Sequence, residues 1–296
     1  MAAAFTKRAI LITGATGKQG GATINALLNA GALSSYHILA LTRNQSSPSA
    51  KNLASRGVKL VSGDLGNVPD VFRKAKRVAG GPIWGVFSVQ TPMGKGASVE
   101  TEETQGKALV DEALANDVKH FVYSSVDRGG DTVSFKNPTD IPHFKSKHLI
   151  EHHLVNRAGS KMSWTILRPV FFMDNISPDD FVAKVTASGW RITLGNDKTL
   201  QVIAARDIGW FAAQAFLRSA EFSGRAISLA GDELTYGEAN RIFEHKIGHP
   251  FPEAPSLVVR FLLASVRELK TMFRFFKTQG YGANIQALKE EHHGLL

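Results

Sequence analysis

Three glycines at regular spacing follow an apolar run in the stretch "RAILITGATGKQGG". The apolar run predicts a buried strand, and a helical pattern follows from Gly20. In such a turn the first glycine permits a tight bend, the second lets backbone N–H groups approach a pyrophosphate, and the third lets the helix pack closely on the strand. The helix N-terminus adds N–H donors and partial positive charge. The spacing therefore predicts a dinucleotide-phosphate cradle, with a purely structural glycine turn as the alternative. The contacts assigned to it are Gly14, Thr16, Gly17, Lys18, Gln19 and Gly20.

The end of the second predicted strand, "LALTRN", indicates which dinucleotide would bind. Sites for NAD usually carry an acidic residue there, about 20 residues past the glycines, to bind the ribose 2′-hydroxyl. This chain has Arg43 instead, 23 residues after Gly20. A guanidinium suits a 2′-phosphate, and Lys18 in the glycine loop would add a second positive charge. We therefore predict NADP(H), with a solvated loop charge as the alternative for Arg43.

The ends of the next two strands supply further candidate contacts. In "SGDLGN", Asp64 could bond the adenine amino group while Leu65 packs on the ring, although Asp64 would look the same in the sequence if it only capped a helix. In "FSVQTP", the residues Val89, Gln90 and Thr91 would lie at the carboxyl edge of the sheet, beside the riboses.

The elements that must position these residues alternate along the chain. Short strands are predicted at residues 37–43, 58–64, 83–90, 120–126 and 163–169, mostly separated by helix-length segments. Such alternation predicts an α/β fold with a parallel sheet covered on both faces, because parallel neighbours need crossover connections. The polar stretches 44–52 and 127–142 are predicted as surface loops.

Composition narrows the function classes. The net charge is +9, but lysine and arginine are scattered along all 296 residues, which argues against direct nucleic-acid binding. The chain has no cysteine, so disulfides, thiolate metal sites and cysteine nucleophiles are excluded. The apolar runs are too short or too charged to be a signal peptide or a membrane span. We expect a cytoplasmic protein that binds neither a membrane nor a metal.

Several motifs together resemble the NmrA-like family, an atypical branch of the short-chain dehydrogenase/reductase superfamily. They are "LITGATGKQGG", "LALTRN", "SGDLGN", "HFVYSSV", "HFKSKHLIEHHL", "WTILRPVFFMDN" and "MFRFF". The resemblance implies a Rossmann domain with a doubly wound parallel sheet, a smaller C-terminal α+β domain over the nicotinamide end, and a preference for NADP(H). We place the first domain at residues 1–170, with later segments returning to it, and the second at 171–296.

The resemblance also directs attention to His143 and Lys147. Dehydrogenases of the parent superfamily use a tyrosine four residues before a lysine on one helical face, where the tyrosine donates a proton and the lysine binds the nicotinamide ribose. In this chain His143 stands in place of the tyrosine and Lys147 follows four residues later. We assign Lys147 to the ribose and His143 to proton donation or to lining the site. Ser124 and Ser125 stand where the superfamily keeps a substrate-polarising hydroxyl, and Ser125 is included among the catalytic candidates.

Aromatic residues after the sixth strand, a histidine-rich helix and a long apolar-faced segment offer further candidate features. The resemblance suggests that Pro169, Phe171 and Phe172 close over the nicotinamide, although both phenylalanines could equally be core residues. The histidines of "KHLIEHHL" do not match a metal motif, and a solvated helix face is favoured. Residues 255–279 are predicted to form one long helix with an apolar face.

Two functions of different classes remain open. In the first, the chain is an NADPH-dependent reductase of a small apolar carbonyl, enone or imine. In the second, it binds NADP(H) without turnover and, as a redox sensor, docks a regulatory protein partner, which would place it in the nucleus as well. A homodimer is left open.

Overall fold

The computed structural model describes residues 7–92, 96–177 and 180–296. Within them the strands are β1 (Arg8–Ile12), β2 (Tyr36–Thr42), β3 (Lys59–Ser62), β4 (Ile83–Ser88), β5 (His120–Ser124), β6 (Ser163–Pro169), β7 (Phe171–Phe172), β8 (Leu200–Ile203), β9 (Arg225–Leu229) and β10 (Asp232–Leu234). The helices are α1 (Lys18–Asn29), α2 (Pro48–Ser55), α3 (Val68–Ala79), α4 (Val99–Ala115), α5 (Asp131–Ser134), α6 (Pro142–Ala158), α7 (Phe181–Leu194), α8 (Ala205–Leu217), α9 (Ser219–Phe222), α10 (Tyr236–Ile247), α11 (Ser256–Ser265), α12 (Arg267–Thr278) and α13 (Ile285–Glu291). Short 3₁₀ turns lie at Ala32–Ser34, Leu65–Asn67 and Met173–Asn175.

The main sheet has seven strands in the order β3-β2-β1-β4-β5-β6-β9. The pairs from β3 through to β6 run parallel. The strand order reverses between β1 and β4, so the crossovers on either side of this point go to opposite faces of the sheet. In open α/β sheets the crevice at such a point is where ligands bind. The predicted α/β class with a doubly wound Rossmann sheet is confirmed.

The chain divides into two compact, interleaved units. The first comprises Met1–Ser125, Ser146–Leu167 and Arg206–Ile227, and the second comprises Val126–Lys145, Arg168–Ala205 and Ser228–Leu296. The first unit therefore includes Arg206–Ile227 from the second half of the chain, and the second unit includes Val126–Lys145 from the first half. The assignment of a separate domain to residues 171–296 stays a prediction.

Each unit has its own apolar interior. In the first, buried side chains of β1 to β6 pack with those of α3, α4 and α6, including Leu11, Phe72 and Phe121. In the second, an aromatic cluster surrounds Trp190 beside a three-stranded sheet in the order β10-β8-β7. The predicted α+β character of the smaller part is confirmed. No helix in the described ranges is both long and apolar enough to span a bilayer.

Two stretches predicted as loops differ from that prediction. Residues 44–52 contain the start of α2, because Ser47 caps the helix by accepting from the Ala50 N–H and Pro48 stands at its first position. Residues 127–142 are not a surface loop at their start, since Asp127 and Arg128 are fully buried in the second unit. The guanidinium of Arg128 donates to the carbonyl oxygens of nearby residues, which offsets the loss of water around its charge.

The long helix predicted over 255–279 was also wrong. Val266 has an extended conformation, with φ −91° and ψ 107°, and separates α11 from α12. A β-branched residue accommodates that conformation readily. Helix α1 begins at Lys18, two residues before the predicted start.

Candidate functional site

The loop between β1 and α1 is shaped by backbone contacts that exclude side chains. Gly14 has φ +58°, and the Gly17 N–H donates to its carbonyl oxygen at 2.9 Å, which closes a tight turn. A Cβ atom on Gly20 would lie 2.4 Å from the same carbonyl oxygen, far inside van der Waals contact. The turn and the close packing predicted for Gly14 and Gly20 are confirmed.

The first turn of α1 has no side-chain cap. Gly17 is the N-cap residue and has no side chain that could accept from the N–H groups of the first turn. The first N–H groups of a helix lack intrahelical partners, and together with the helix dipole they favour an anion. Thr16 and Lys18 are exposed beside this helix end, whereas Gln19 is half-buried. The arrangement suits a phosphate group.

Thr13 fastens the end of β1 to the end of β4 beneath the glycine loop. Its Oγ1 accepts from the Val89 N–H at 2.8 Å and lies within donor distance of the Phe87 and Val89 carbonyl oxygens, at 3.1 and 3.0 Å. A Cβ atom on Gly14 would lie 2.7 Å from the Val89 side chain, so the loop rests directly on this residue. The loop and the β4 edge are therefore held together at the point where the strand order reverses.

Gln90, next along this edge, is buried yet incompletely hydrogen-bonded. Its Nε2 donates to Ser88 Oγ at 2.9 Å, while its Oε1 is buried without a hydrogen-bond partner among the described residues. A buried polar atom left in this state is costly unless a ligand or water pairs with it. An orphaned acceptor at this position fits a ribose hydroxyl. The neighbouring Thr91 is exposed.

Arg43 and Asp64 lie side by side at the ends of β2 and β3. The Arg43 Nε is 3.9 Å from Asp64 Oδ2, and the arginine side chain is 80% exposed. Asp64 also accepts from the Gly66 N–H at 2.8 Å, so it caps the turn at Leu65–Asn67, as the alternative interpretation proposed. Leu65 lines a cavity of about 730 Å³ with residues of α4, including Thr104 and Ala108.

The end of β5 also reaches the glycine loop. Ser124 is fully buried, and its hydroxyl donates a short hydrogen bond to Gln19 Oε1. Ser125 is buried as well, and its N–H donates to the Leu167 carbonyl at 2.7 Å. Gln19 thus links the start of α1 to β5 through its side chain, while the catalytic assignment of Ser125 stays a prediction.

Lys147 is held by a carboxylate that the sequence pattern did not single out. Its Nζ donates to Glu102 Oε1 at 2.7 Å, and the hydroxyl of Ser146 donates a short hydrogen bond to Glu102 Oε2. Lys147 is 9% exposed and Glu102 is fully buried. Glu102 lies 45 residues before Lys147 in the chain, so no local motif connects the two.

Helix α6 carries His143 in its part that belongs to the second unit. There the His143 Nδ1 forms a short hydrogen bond with Glu268 Oε1, and the ring meets Phe144 edge to face. A carboxylate on one ring nitrogen fixes the orientation of an imidazole. The proton-donor assignment of His143 stays a prediction.

The aromatic residues after β6 are largely part of the interior. Phe171 is buried in the second unit and packs edge to face on Trp190 and Phe276. Pro169 is buried and Phe172 is half-buried. These contacts agree with the core interpretation of Phe171, and contact with a nicotinamide stays a prediction for all three.

The remaining histidines do not gather into a metal site. The rings of His148 and His152 lie 4.3 Å apart, but the described part of the chain holds no group of three or more acidic or histidine side chains placed to bind a metal. His120, at the start of β5, is buried, and this burial lowers its pKa to about 4.

Comparison with known proteins identifies relatives over the whole chain. The sequence pattern of the NmrA-like family matches residues 6–294. The NmrA-like family domain-containing oxidoreductase FrzB of Cladobotryum sp. is 25% identical, and the alignment covers 92% of this chain and 84% of that protein.

Solved structures share the fold at low sequence identity. Triphenylmethane reductase of Citrobacter sp., complexed with NADP(H), has a TM-score of 0.70 and 18% identity, with 97% of this chain and 96% of that chain covered. The negative transcriptional regulator NmrA, in complex with NADP, has a TM-score of 0.66 and 18% identity, with 98% and 93% covered.

Proposed function

The chain belongs to the NmrA-like family, and we propose that it is an NADP(H)-dependent oxidoreductase that reduces a carbonyl, enone or imine group of a small apolar molecule. The observation that carries the proposal is the uncapped start of α1 above a turn in which Gly20 leaves no room for a side chain. In this proposal the first N–H groups of α1 bind the pyrophosphate.

The two ends of the nucleotide would be bound by different chemistry. Arg43, together with Lys18 of the glycine loop, would bind the 2′-phosphate by charge-assisted hydrogen bonds. Asp64 and Leu65 would contact adenine beside the cavity that Leu65 lines. The unpaired Oε1 of Gln90 would accept from a ribose hydroxyl, and Val89 and Thr91 would complete that edge of the site.

The assigned chemistry is hydride transfer coupled to proton donation. When bound, NADPH supplies the hydride to the carbon of the C=O, C=C or C=N group. Lys147 would bind the nicotinamide ribose and so fix the ring. His143, whose Nδ1 is held by Glu268, would give a proton to the atom that receives the electron pair and would regain it from solvent. We retain Ser125, Pro169, Phe171 and Phe172 as proposed neighbours of the reacting groups.

The relatives are consistent with this proposal. FrzB is named as an oxidoreductase and aligns over nearly the full length. Triphenylmethane reductase and NmrA share the fold and are crystallised with NADP(H) or NADP.

The test follows NADPH absorbance at 340 nm with a panel of small apolar quinones, enones and imines, while a fluorescence titration measures binding. We expect NADPH to bind more tightly than NADH, and at least one substrate class to be turned over. Replacing His143 with alanine removes the proton donor and should lower kcat about a hundredfold with little change in the Kd of NADPH. The matched control is His153→Ala on the same helix, since His153 pairs with Asp111 at 3.0 Å and has no assigned role.

The second candidate is a dinucleotide sensor. It is favoured by the engagement of His143 with Glu268 in place of a tyrosine and by the exposed Leu257 and Phe261 on α11, which offer an apolar contact surface. Tight NADPH binding without consumption of any panel substrate would support the sensor. A wild-type protein that binds no NADPH would overturn both functions.

A further inference from the structure

The carboxylate of Glu102 is buried between α4 and α6 without contact with solvent. Burying a charge is costly, and a buried ion pair is on average no more stabilising than well-packed apolar residues. Both oxygens of Glu102 are nevertheless engaged: Oε1 accepts from Lys147 and Oε2 accepts from Ser146. A buried carboxylate that accepts a hydrogen bond on each oxygen is held in one orientation, which suits a role in positioning its partner.

A glycine brings the two helices close enough for this contact. Gly106 lies one turn after Glu102 on α4, and a Cβ atom there would lie 2.5 Å from Cδ1 and 2.8 Å from Cγ1 of Ile150. Ile150 is fully buried and lies one turn after Ser146 on α6. The missing side chain therefore lets α4 approach α6 one turn away from the place where Glu102 meets Lys147.

With one N–H group bound to Glu102, the Lys147 ammonium keeps one donor for each of two ribose hydroxyls. A protonated lysine has three N–H donors. In the described part of the chain, Glu102 receives the one hydrogen bond that the ammonium makes. Two donors remain, which is the number needed for the two neighbouring hydroxyls of a ribose.

We propose that Glu102 is a positioning residue for hydride transfer: it anchors the Lys147 ammonium so that the two remaining N–H groups bind the nicotinamide ribose. Ser146 supports this role by fixing the rotation of the carboxylate. The inference rests on the proposed function, because it takes Lys147 to be the ribose ligand.

The proposal separates the orientation of the nicotinamide from the affinity for the whole nucleotide. The proposed phosphate contacts lie at the glycine loop and at Arg43, and neither involves Glu102. Loss of the anchor should therefore leave the ring less well oriented while the nucleotide still binds.

The experiment compares Glu102→Gln, Lys147→Met and the double variant by NADPH titration, by the fluorescence lifetime of the bound nicotinamide and by kcat. Glutamine keeps the size and the hydrogen-bonding capacity of the side chain but removes the charge. Each single variant should lower kcat about tenfold and shorten the nicotinamide lifetime toward its value in free NADPH. In Glu102→Gln the Kd of NADPH should change by no more than about threefold, because Lys147 and the proposed phosphate contacts remain. The double variant should be no worse than Lys147→Met, because both changes break one unit.

The matched control is Glu103→Gln, which removes the next carboxylate along α4. Glu103 pairs with Lys107 at 2.5 Å and is partly exposed, so this variant should behave as the wild type in all three measurements. Should Glu102→Gln fail to fold, Ser146→Ala takes its place, with a smaller loss of kcat and lifetime expected.

The possible outcomes separate the two proposals. If Glu102→Gln, or Ser146→Ala in its place, matches the control in lifetime and kcat, or if the effects of the two single changes multiply in the double variant, the positioning role is wrong and the pair is only structural. If the wild type itself binds no NADPH, the proposed function fails and this inference fails with it.

Discussion

The glycine loop after β1 and the Glu102–Lys147 pair belong to the same compact unit but are built by different means. The loop is made by backbone atoms of residues within one short stretch, in which Gly20 packs against Gly14 and Thr13. The pair is made by side chains from two helices whose residues are 45 positions apart. One end of the candidate site is therefore defined by local geometry, and the other by tertiary packing.

This difference determines how each region should respond to change. A backbone-built loop tolerates replacement of its exposed side chains but not the addition of a Cβ atom where two backbones touch. A side-chain-built pair is destabilised by removal of charge on one partner alone, because the other charge is left buried. The loop should therefore be most sensitive to size, and the pair to charge.

The largest effect should come from Gly20→Val. Its Cβ atom would lie 2.4 Å from the Gly14 carbonyl oxygen, so α1 would have to move away from β1. We expect a loss of about 4 kcal/mol or more in the free energy of unfolding, together with loss of NADPH binding. Urea unfolding and a fluorescence titration measure the two effects.

The neighbouring glycine supplies the control. A Cβ atom on Gly21 would lie 3.5 Å from the Ala15 carbonyl oxygen, which is an ordinary contact. Gly21→Ala should therefore leave NADPH binding intact and stabilise α1 by up to about 1 kcal/mol, because alanine is the better helix former. Equal behaviour of the two variants would contradict a loop limited by backbone contact at Gly20.

The same contrast explains how much of the molecule could be predicted from the sequence. The strands β1 to β6 lie within the predicted runs or begin one residue before them, because apolar runs report burial directly. The glycine turn was also predictable, since spacing and context lie in one stretch. Ser47 and Pro48 are a local signal for the start of α2, but the polar composition around them predicted a loop.

Other features depend on contacts that no local pattern contains. Glu102 looks like any acidic residue in the first turns of an amphipathic helix, and only the approach of α6 at Gly106 gives it a partner. Asp127 and Arg128 lie in a polar stretch whose composition favours solvent, yet their charges are satisfied by backbone groups of the second unit. Burial of polar residues is decided by tertiary structure, so the sequence pattern predicted their surroundings wrongly.

Acid should lower the free energy of unfolding, because His120 is buried in the first unit without a charge. Burial lowers the pKa of this residue to about 4 from its ordinary value of 6.5, and its ring nitrogens lie 2.6 Å from Ser163 Oγ and 3.2 Å from Thr165 Oγ1. The unfolded chain binds the proton first as the pH falls, so stability is full above about pH 6.5, declines down to about pH 4 and declines no further below it. The difference between the two pKa values corresponds to about 3 kcal/mol.

Urea unfolding at pH 7, 5.5 and 4.5 measures this decline. His120→Gln keeps hydrogen-bonding capacity without a titrating ring, so it should flatten the dependence of the free energy of unfolding on pH. Replacing His37 with glutamine is the control, since its pKa is also lowered, by partial burial first and by Lys59 second, but its burial is slight. A wild-type stability that stays constant between pH 7 and 4.5 would show that His120 is not held neutral in the fold.

The smallest effect should come from replacing Arg43, whose exposed side chain lies beside Asp64 at the end of β2. Arg43→Gln removes the guanidinium proposed to bind the 2′-phosphate, so the Kd of NADPH should rise about tenfold while that of NADH stays the same. The matched control is Arg56→Gln, because Arg56 is an exposed arginine that bonds Asn25 at 2.7 Å near the end of α2. If both nucleotides weaken equally in Arg43→Gln, the side chain contributes only general positive charge. Discrimination between the two nucleotides would then have to come from Lys18, the other positive charge assigned to the 2′-phosphate, and Lys18→Gln would lose the selectivity that Arg43→Gln keeps.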